Sequence, residues 1–159
     1  MKSYKVYFFI ITFILVASEN TYSFSQYDSL KIKISQMLIF GVQDAQKVLQ
    51  EDSLLEAYSN THLGGIILFE KNISKKRSKI HLKALIDEIQ NVSKIPSFIA
   101  IDEEGGKVNR LKPIYGFHHT KSAKYLGDIN NLDSTFYYSK LTSDLLNELG
   151  INVNFAPVV

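Results

Sequence analysis

An apolar strand that runs directly into charged residues is the stretch of this sequence best equipped for chemistry. Residues 99–110 read Ile-Ala-Ile-Asp-Glu-Glu-Gly-Gly-Lys-Val-Asn-Arg. Ligands of parallel α/β folds bind beyond the carboxyl ends of the strands, so Asp102, the first residue after the strand, is predicted to lie over a binding site. Its carboxylate can accept hydrogen bonds from adjacent hydroxyls of a sugar ring. Gly105 and Gly106 allow a sharp backbone turn, and Arg110 adds a planar fork of donors.

Three other interpretations fit parts of the same stretch. A solvated turn, hinged at the glycine pair, fits the spacing of residues 102–106 as well as a binding site does. A phosphate-binding loop fits less well, because the full glycine-rich fingerprint is missing and three adjacent acids would repel an anion. A divalent metal also fits poorly, because consecutive side chains diverge and the ligand spacing of a calcium loop is absent. The sequence therefore predicts no metal site.

Short apolar runs predict the strands that position this stretch. Each run is rich in β-branched or aromatic residues and lacks polar alternation, which is typical of a parallel sheet covered on both faces. The predicted strands are residues 36–42, 65–69, 95–101 and 152–158. Helical periodicity separates them at 75–92, with Ser74 as its N-cap, at 133–149, closed by Gly150, and more weakly at 44–58.

The order of these elements predicts an α/β protein. The first three strands begin about 30 residues apart, which is the length of one unit in an eight-fold (β/α) barrel. Four strands would make the N-terminal half of such a barrel, and a doubly wound open sheet is the alternative on pattern alone. Half a barrel would leave strand edges unpaired, so we expect the sequence to be truncated after about its fourth strand.

The N-terminus has the pattern of a secretory signal peptide. Lys2 and Lys5 precede an apolar run over residues 6–17, and polar residues begin at Ser18. The run is shorter than the roughly 20 apolar residues that span a bilayer, although an uncleaved anchor is an alternative. We therefore predict a signal peptide at 1–23, export to a periplasm or the cell exterior, and no membrane span in the mature chain.

Composition excludes several classes of protein. The formal net charge is +2, and the basic residues are scattered, so no nucleic-acid partner is predicted. The densest basic cluster, residues 75–77, has the pattern of a solvated helix face. The sequence contains no cysteine, which excludes disulfides, thiolate metal sites and a cysteine nucleophile.

Four motifs together resemble glycoside hydrolase family 3. Residues 102–110 are similar to its Asp-[Gln/Glu]-Glu-Gly-Gly-[Arg/Lys]-Val-x-Arg signature, and the stretches 33–41, 62–69 and 149–159 agree in order and spacing. The resemblance covers about residues 30–159 and is nearest to the β-N-acetylhexosaminidase branch. It implies the N-terminal part of a (β/α)8 barrel in which Asp102 binds sugar hydroxyls and Arg110 contacts the substrate.

The resemblance also implies a reaction and a limit. A member of this branch is a retaining glycosidase that removes terminal β-linked N-acetylhexosamine from oligosaccharides or cell-wall fragments, without a metal or organic cofactor. The family's nucleophile and acid/base lie beyond Val159, so no catalytic residue is expected in this chain, and we expect the chain alone to be inactive. A β-glucosidase or xylosidase of the same family, and a non-catalytic sugar-binding half-barrel, remain alternatives.

Overall fold

The computed structural model describes residues 26–41 and 52–157. The predicted signal peptide lies outside these residues. A compact unit begins at Ile32, and residues 26–31 form the first turns of a helix. No helix within the described ranges is long and apolar enough to cross a membrane.

Helices and strands alternate along the described chain. In order they are α1 (Gln26–Gln36), β1 (Ile39–Gly41), α2 (Asp52–Thr61), β2 (Gly65–Leu68), a 3-10 turn (Glu70–Asn72), α3 (Ser78–Val92), β3 (Phe98–Ile101), a second 3-10 turn (Pro113–Tyr115), α4 (Ala123–Ile129), α5 (Leu132–Leu149) and β4 (Val153–Asn154).

The strands form one parallel sheet in the order β1-β2-β3-β4. Gly65 and Leu68 pair with Phe98 and Ile101, so β2 and β3 are aligned along their whole lengths. Parallel neighbours require crossovers, and each crossover here contains at least one helix. The predicted α/β class with a parallel sheet is confirmed.

A single hydrophobic cluster joins the sheet to its helices. It combines alternate residues of β2 and β3 with one face of α3 and the C-terminal half of α5. Burying each of these aliphatic side chains contributes about 1.5–3 kcal/mol. The main members are Ile66, Leu68, Ile99, Ile101, Leu82, Leu85, Ile86, Ile89, Leu145, Leu146 and Leu149.

The predicted strands are longer than the observed ones. At the first, Gln36 ends α1 instead of beginning β1, because its side chain donates to the carbonyl of His62 at 2.8 Å and holds the end of the helix there. The third begins at Phe98, not at residue 95, and Pro96 has no N–H to donate to a ladder. The fourth is only Val153–Asn154.

The helix predictions at 75–92 and 133–149 are correct in type and in their C-terminal ends, including closure of the second helix by Gly150, and wrong at their starts. Ser74 does not cap α3; its hydroxyl accepts from the N–H of Lys76 in the preceding turn, and the N-cap is Arg77 with φ 49°. At α5, the side chain of Asn131 accepts from Ser134 N and starts the helix at Leu132.

The third predicted helix, at 44–58, lies partly outside the described residues. Its described counterpart, α2, runs from Asp52 to Thr61, which is three residues beyond the predicted end. Tyr58 packs against the core, and its hydroxyl donates to Ser97 at 2.8 Å.

Candidate functional site

The two carboxylates that follow β3 face opposite sides of the sheet. Side chains alternate along a strand, so Asp102 continues the face of Ala100 and Glu103 continues the helix-covered face of Ile101. The exposures agree with this alternation: the side chain of Asp102 is 25% exposed, whereas Glu103 is 3% exposed. Adjacent residues of nearly identical chemistry therefore occupy different environments.

Asp102 and Arg110, both predicted as site residues, lie in contact. Arg110 Nη2 donates to Asp102 Oδ2 at 3.0 Å, and both side chains are about three-quarters buried. An ionised carboxylate has roughly four acceptor positions, so this hydrogen bond leaves acceptor capacity at the carboxyl end of β3. Arg110 Nε is buried without a hydrogen-bond partner among the described residues. The Nη donors of Arg110, whose side chain is 27% exposed, and the remaining acceptor positions of Asp102 can face a ligand.

Glu103 is not part of a solvated turn: it is only 3% exposed, although it contributes to the wall of a cavity between the β3 exit loop and the helices. Its Oε2 accepts the backbone N–H groups of Arg110 at 2.8 Å and Leu111 at 2.9 Å, and its Oε1 accepts the hydroxyl of Thr120 at 3.0 Å. A buried carboxylate is tolerated only when such donors satisfy it. For Glu103, the solvated-turn interpretation is wrong.

The glycine pair forms the sharp turn that the sequence predicts. Gly105 and Gly106 have φ of 72° and 64°, which is the left-handed region that only glycine adopts without strain. Glu104 N donates to the carbonyl of Val108 at 3.0 Å and closes the turn. A methyl group at Gly105 would collide with the Lys121 carbonyl oxygen. The turn brings Arg110 back over the end of β3.

Two asparagines fix β4 against β3 through their side chains. Asn154 Oδ1 accepts from Glu103 N at 3.0 Å, and its Nδ2 donates to the Glu103 carbonyl at 3.1 Å. Asn152 makes the equivalent pair of hydrogen bonds to Ile99 N and Ser97 O. These amide contacts add to the backbone hydrogen bonds from Asn152 N to Ile99 O and from Phe155 N to Ile101 O.

A second buried contact joins the β3 exit loop to a later loop. Asn109 Nδ2 donates to Thr120 Oγ1 at 3.0 Å, and the same hydroxyl donates to Glu103. Asn109, Thr120 and Glu103 are all buried. The sequence analysis missed this cluster, because its members are separated by up to 17 residues and share no periodic pattern.

A third polar cluster lies at the end of β2. Glu70 accepts from Lys112 Nζ at 2.6 Å and from the hydroxyl of Tyr115 at 2.8 Å. The Lys112 hydrogen bond, followed by that of Tyr115, lowers the pKa of Glu70, while the hydrogen bond to Glu70 raises the pKa of Tyr115. Sequence analysis also missed this cluster, although Glu70 follows a predicted strand as directly as Asp102 does.

A cavity among the described residues lies away from the Asp102–Arg110 pair. It measures about 550 Å³ and lies between the β3 exit loop, α4, α5 and the end of β4, with Thr120, Tyr138 and Pro157 in its wall. Neither Asp102 nor Arg110 lines it. Within residues 26–41 and 52–157, no group of three or more His, Asp or Glu side chains could hold a metal ion.

The parallel sheet with helical crossovers makes this chain an α/β protein, and acidic and basic side chains are paired at the carboxyl ends of its strands. The particular family follows from comparison with known sequences. The chain belongs to glycosyl hydrolase family 3, because the model of that family's N-terminal domain matches residues 29–159. The family resemblance predicted from the four motifs is therefore confirmed.

Named relatives and solved structures agree with this membership. The chain is 37% identical over 111 residues to beta-hexosaminidase A of Pseudoalteromonas piscicida, covering 67% of this chain and 18% of that protein. It is 29% identical to beta-hexosaminidase LpqI of Mycobacterium tuberculosis, covering 80% and 30%. A family 3 beta-N-acetylglucosaminidase from Paenibacillus matches with a TM-score of 0.63 and 30% identity, covering 80% and 24%. The chain thus spans less than a third of these relatives.

Proposed function

We propose that this protein is a glycosidase that removes terminal β-linked N-acetylhexosamine from oligosaccharides or cell-wall fragments, with Asp102 and Arg110 binding the sugar. The observation that carries the proposal is the ion pair between these side chains, which is partly exposed at the carboxyl end of β3. The names of the relatives support the choice of sugar.

The chemistry of the pair suits a saccharide ring. Asp102 can accept from two neighbouring hydroxyls, while Arg110 can donate to a further oxygen without giving up its charge. A charged partner makes such hydrogen bonds shorter and stronger than neutral ones. Because Arg110 Nη2 already holds Asp102 at 3.0 Å, the carboxylate is oriented before the sugar arrives, which lowers the entropic cost of binding.

The described sheet supports a barrel in the intact protein. Four parallel strands joined by helical crossovers match four successive units of a (β/α)8 barrel, whose active site lies at the carboxyl ends of the strands. Retention requires a carboxylate nucleophile and an acid/base. Asp102 is held by Arg110, and Glu103 is buried with three donors. Neither suits these roles, so we propose that both catalytic groups lie outside the described residues.

The N-terminal pattern adds a cellular location to the proposal. The basic start and the apolar run of residues 6–17 favour a cleaved signal peptide at 1–23 and export from the cytoplasm. Fractionation of the source cells, followed by N-terminal sequencing of the mature protein, tests this. Recovery of the uncleaved chain in the membrane fraction would favour the anchor instead.

Hydrolysis assays test the proposed reaction. The protein in the length its gene encodes should release nitrophenol from the β-N-acetylglucosaminide much faster than from the β-glucoside or β-xyloside. The isolated 159-residue chain should hydrolyse none of the three. A preference for the glucoside would indicate another activity of the family, and sugar binding without turnover by the gene-length protein would indicate a binding module. Turnover by the isolated chain would contradict the assignment of the catalytic groups to other residues.

A further inference from the structure

We infer that Glu103 is a positioning residue for sugar binding: it sets the direction of the Arg110 side chain and so holds the guanidinium against Asp102. The inference rests on the proposed function, because it gives Glu103 a role through the two residues proposed to contact the sugar. Glu103 itself is 3% exposed and lies on the opposite face of the sheet from Asp102, so it does not touch the ligand.

The hydrogen bonds of Glu103 hold the backbone on both sides of Arg110. A single oxygen, Oε2, accepts the N–H groups of Arg110 and Leu111, at 2.8 and 2.9 Å. These N–H groups belong to the peptide units on either side of the Arg110 Cα. Fixing both units fixes the Arg110 backbone dihedral angles, and with them the direction of its Cα–Cβ bond. The guanidinium therefore starts from a defined position over the end of β3.

Glu103 is itself held in place, by Asn154 at its backbone and by Thr120 at its side chain. Its backbone N–H and carbonyl are bound by the Asn154 side chain at 3.0 and 3.1 Å, and its Oε1 accepts from Thr120 at 3.0 Å. A continuous path of hydrogen bonds thus runs from β4 through Glu103 to Arg110 and ends at Asp102. Every hydrogen bond in this path is buried or partly buried, so water competes little with it.

The contacts of the Glu103 side chain need acceptor oxygens on a side chain of this shape, and a glutamine amide has the same shape and one such oxygen. In Glu103→Gln, the amide oxygen can take the place of Oε2. The amide N–H₂ can donate to the Thr120 hydroxyl, which can reorient its own proton. Asn109 Oδ1, buried without a hydrogen-bond partner in the described part of the chain, is an acceptor in the same cluster. Glu103→Ala offers no acceptor and leaves the Arg110 and Leu111 N–H groups unsatisfied.

A double-mutant cycle distinguishes positioning from a general effect on folding. The gene-length protein is prepared unmodified and as E103A, E103Q, R110A and E103A/R110A, and its Kd for N-acetylglucosamine and its Tm are measured. We expect E103A to weaken binding by about tenfold or more and E103Q to stay within about threefold of the unmodified protein. In the R110A background, E103A should change Kd by less than about threefold, while it still lowers Tm.

The outcomes separate this inference from the proposed function. If R110A binds N-acetylglucosamine as tightly as the unmodified protein, the proposed sugar contact of Arg110 is wrong. If R110A weakens binding but E103A weakens it by the same factor with and without Arg110, the contact stands and the positioning role is overturned. Should E103A not fold, N154A replaces it, because that change removes both side-chain hydrogen bonds that hold the Glu103 backbone. N154A should weaken binding only while Arg110 is present, and either an unchanged Kd or an effect on Kd that is independent of Arg110 overturns the inference.

Discussion

Replacing Asp102 by alanine should reduce sugar binding far more than it reduces stability. The side chains of Asp102 and Arg110 are about a quarter exposed. Their ion pair therefore lies between a surface pair, which contributes about 1 kcal/mol or less to folding, and a fully buried pair, whose disruption costs about 3–5 kcal/mol. Because Arg110 keeps some access to water after the change, we expect the free energy of unfolding of D102A to fall by about 1–2 kcal/mol.

The expected loss of binding is larger, because each hydrogen bond to a charged group contributes about 1.5–3 kcal/mol. Two hydroxyl contacts at Asp102 amount to about 3 kcal/mol at the lower limit, which is on the order of a hundredfold in Kd or in kcat/KM. The measurements are urea unfolding followed by circular dichroism, and titration with N-acetylglucosamine alongside nitrophenyl glycoside kinetics.

A matched control comes from the surface of α5. Asp144 also pairs with a basic residue, Lys140, at 2.7 Å, but both side chains are more than half exposed on the helix. D144A should change neither binding nor stability appreciably. If D102A keeps kcat/KM within threefold of the unmodified protein, Asp102 does not contact the sugar. If D102A instead unfolds as readily as a core variant, the carboxylate has a structural role.

Three further predictions test the structure around the site and in the core. Gly105→Ala should lower Tm strongly, because the φ of Gly105 is 72° and the added methyl group would collide with the Lys121 backbone. The matched control is Gly127→Ala, in open space within α4, which should stabilise the protein by about 0.5–1 kcal/mol. Acid unfolding should depend on Glu70, because its pKa is lower in the folded protein than in the unfolded chain. As the pH falls, Glu70 is therefore protonated in the unfolded chain at a higher pH than in the folded protein. Stability should therefore fall as pH drops below the ordinary value of 4.5, and E70Q should flatten this slope in urea unfolding at pH 3 to 6. Leu85→Ala, in the centre of the core, should cost about 2–5 kcal/mol in urea unfolding; a loss below about 1 kcal/mol would contradict the observed packing.

Sequence periodicity predicts the elements whose burial is repeated along the chain. The apolar stripe predicted for residues 75–92 is the buried face of α3, with Leu82, Leu85, Ile86 and Ile89 in the core. The periodicity of residues 133–149 places Tyr137, Leu141, Leu145 and Leu149 on one apolar face, and only the C-terminal end of that face is buried. Leu145 and Leu149 are buried, but Tyr137 is 61% exposed, because the N-terminal half of α5 extends past the hydrophobic cluster. Periodicity shows which face of a helix is apolar, not how far its neighbours reach.

Strand ends and buried polar clusters depend on contacts that no local pattern contains. The apolar composition of residues 152–158 predicts a strand of seven residues, but the observed strand has two. Asn152 and Asn154 contact β3 through their side chains. The Glu103–Thr120 hydrogen bond likewise joins residues 17 apart. The position of Asp102 after a predicted strand and the family resemblance predicted Asp102 and Arg110 as site residues, and the structure brings the two into contact.

The adjacent carboxylates of Asp102 and Glu103 have different proposed roles: Asp102 binds the sugar, and Glu103 positions Arg110. Alternation places Asp102 on one face of the sheet and Glu103 among the helices, so their environments differ before any loop is formed. The short aspartate stays at the strand end beside Arg110, whereas the longer glutamate reaches the returning backbone of Arg110 and Leu111. A turn built on Gly105 and Gly106 is what returns that backbone to both carboxylates. The Asp-Glu-Glu-Gly-Gly order therefore needs its first acid to be accessible, its second to be buried and its glycines to have positive φ, and these three requirements depend on one another.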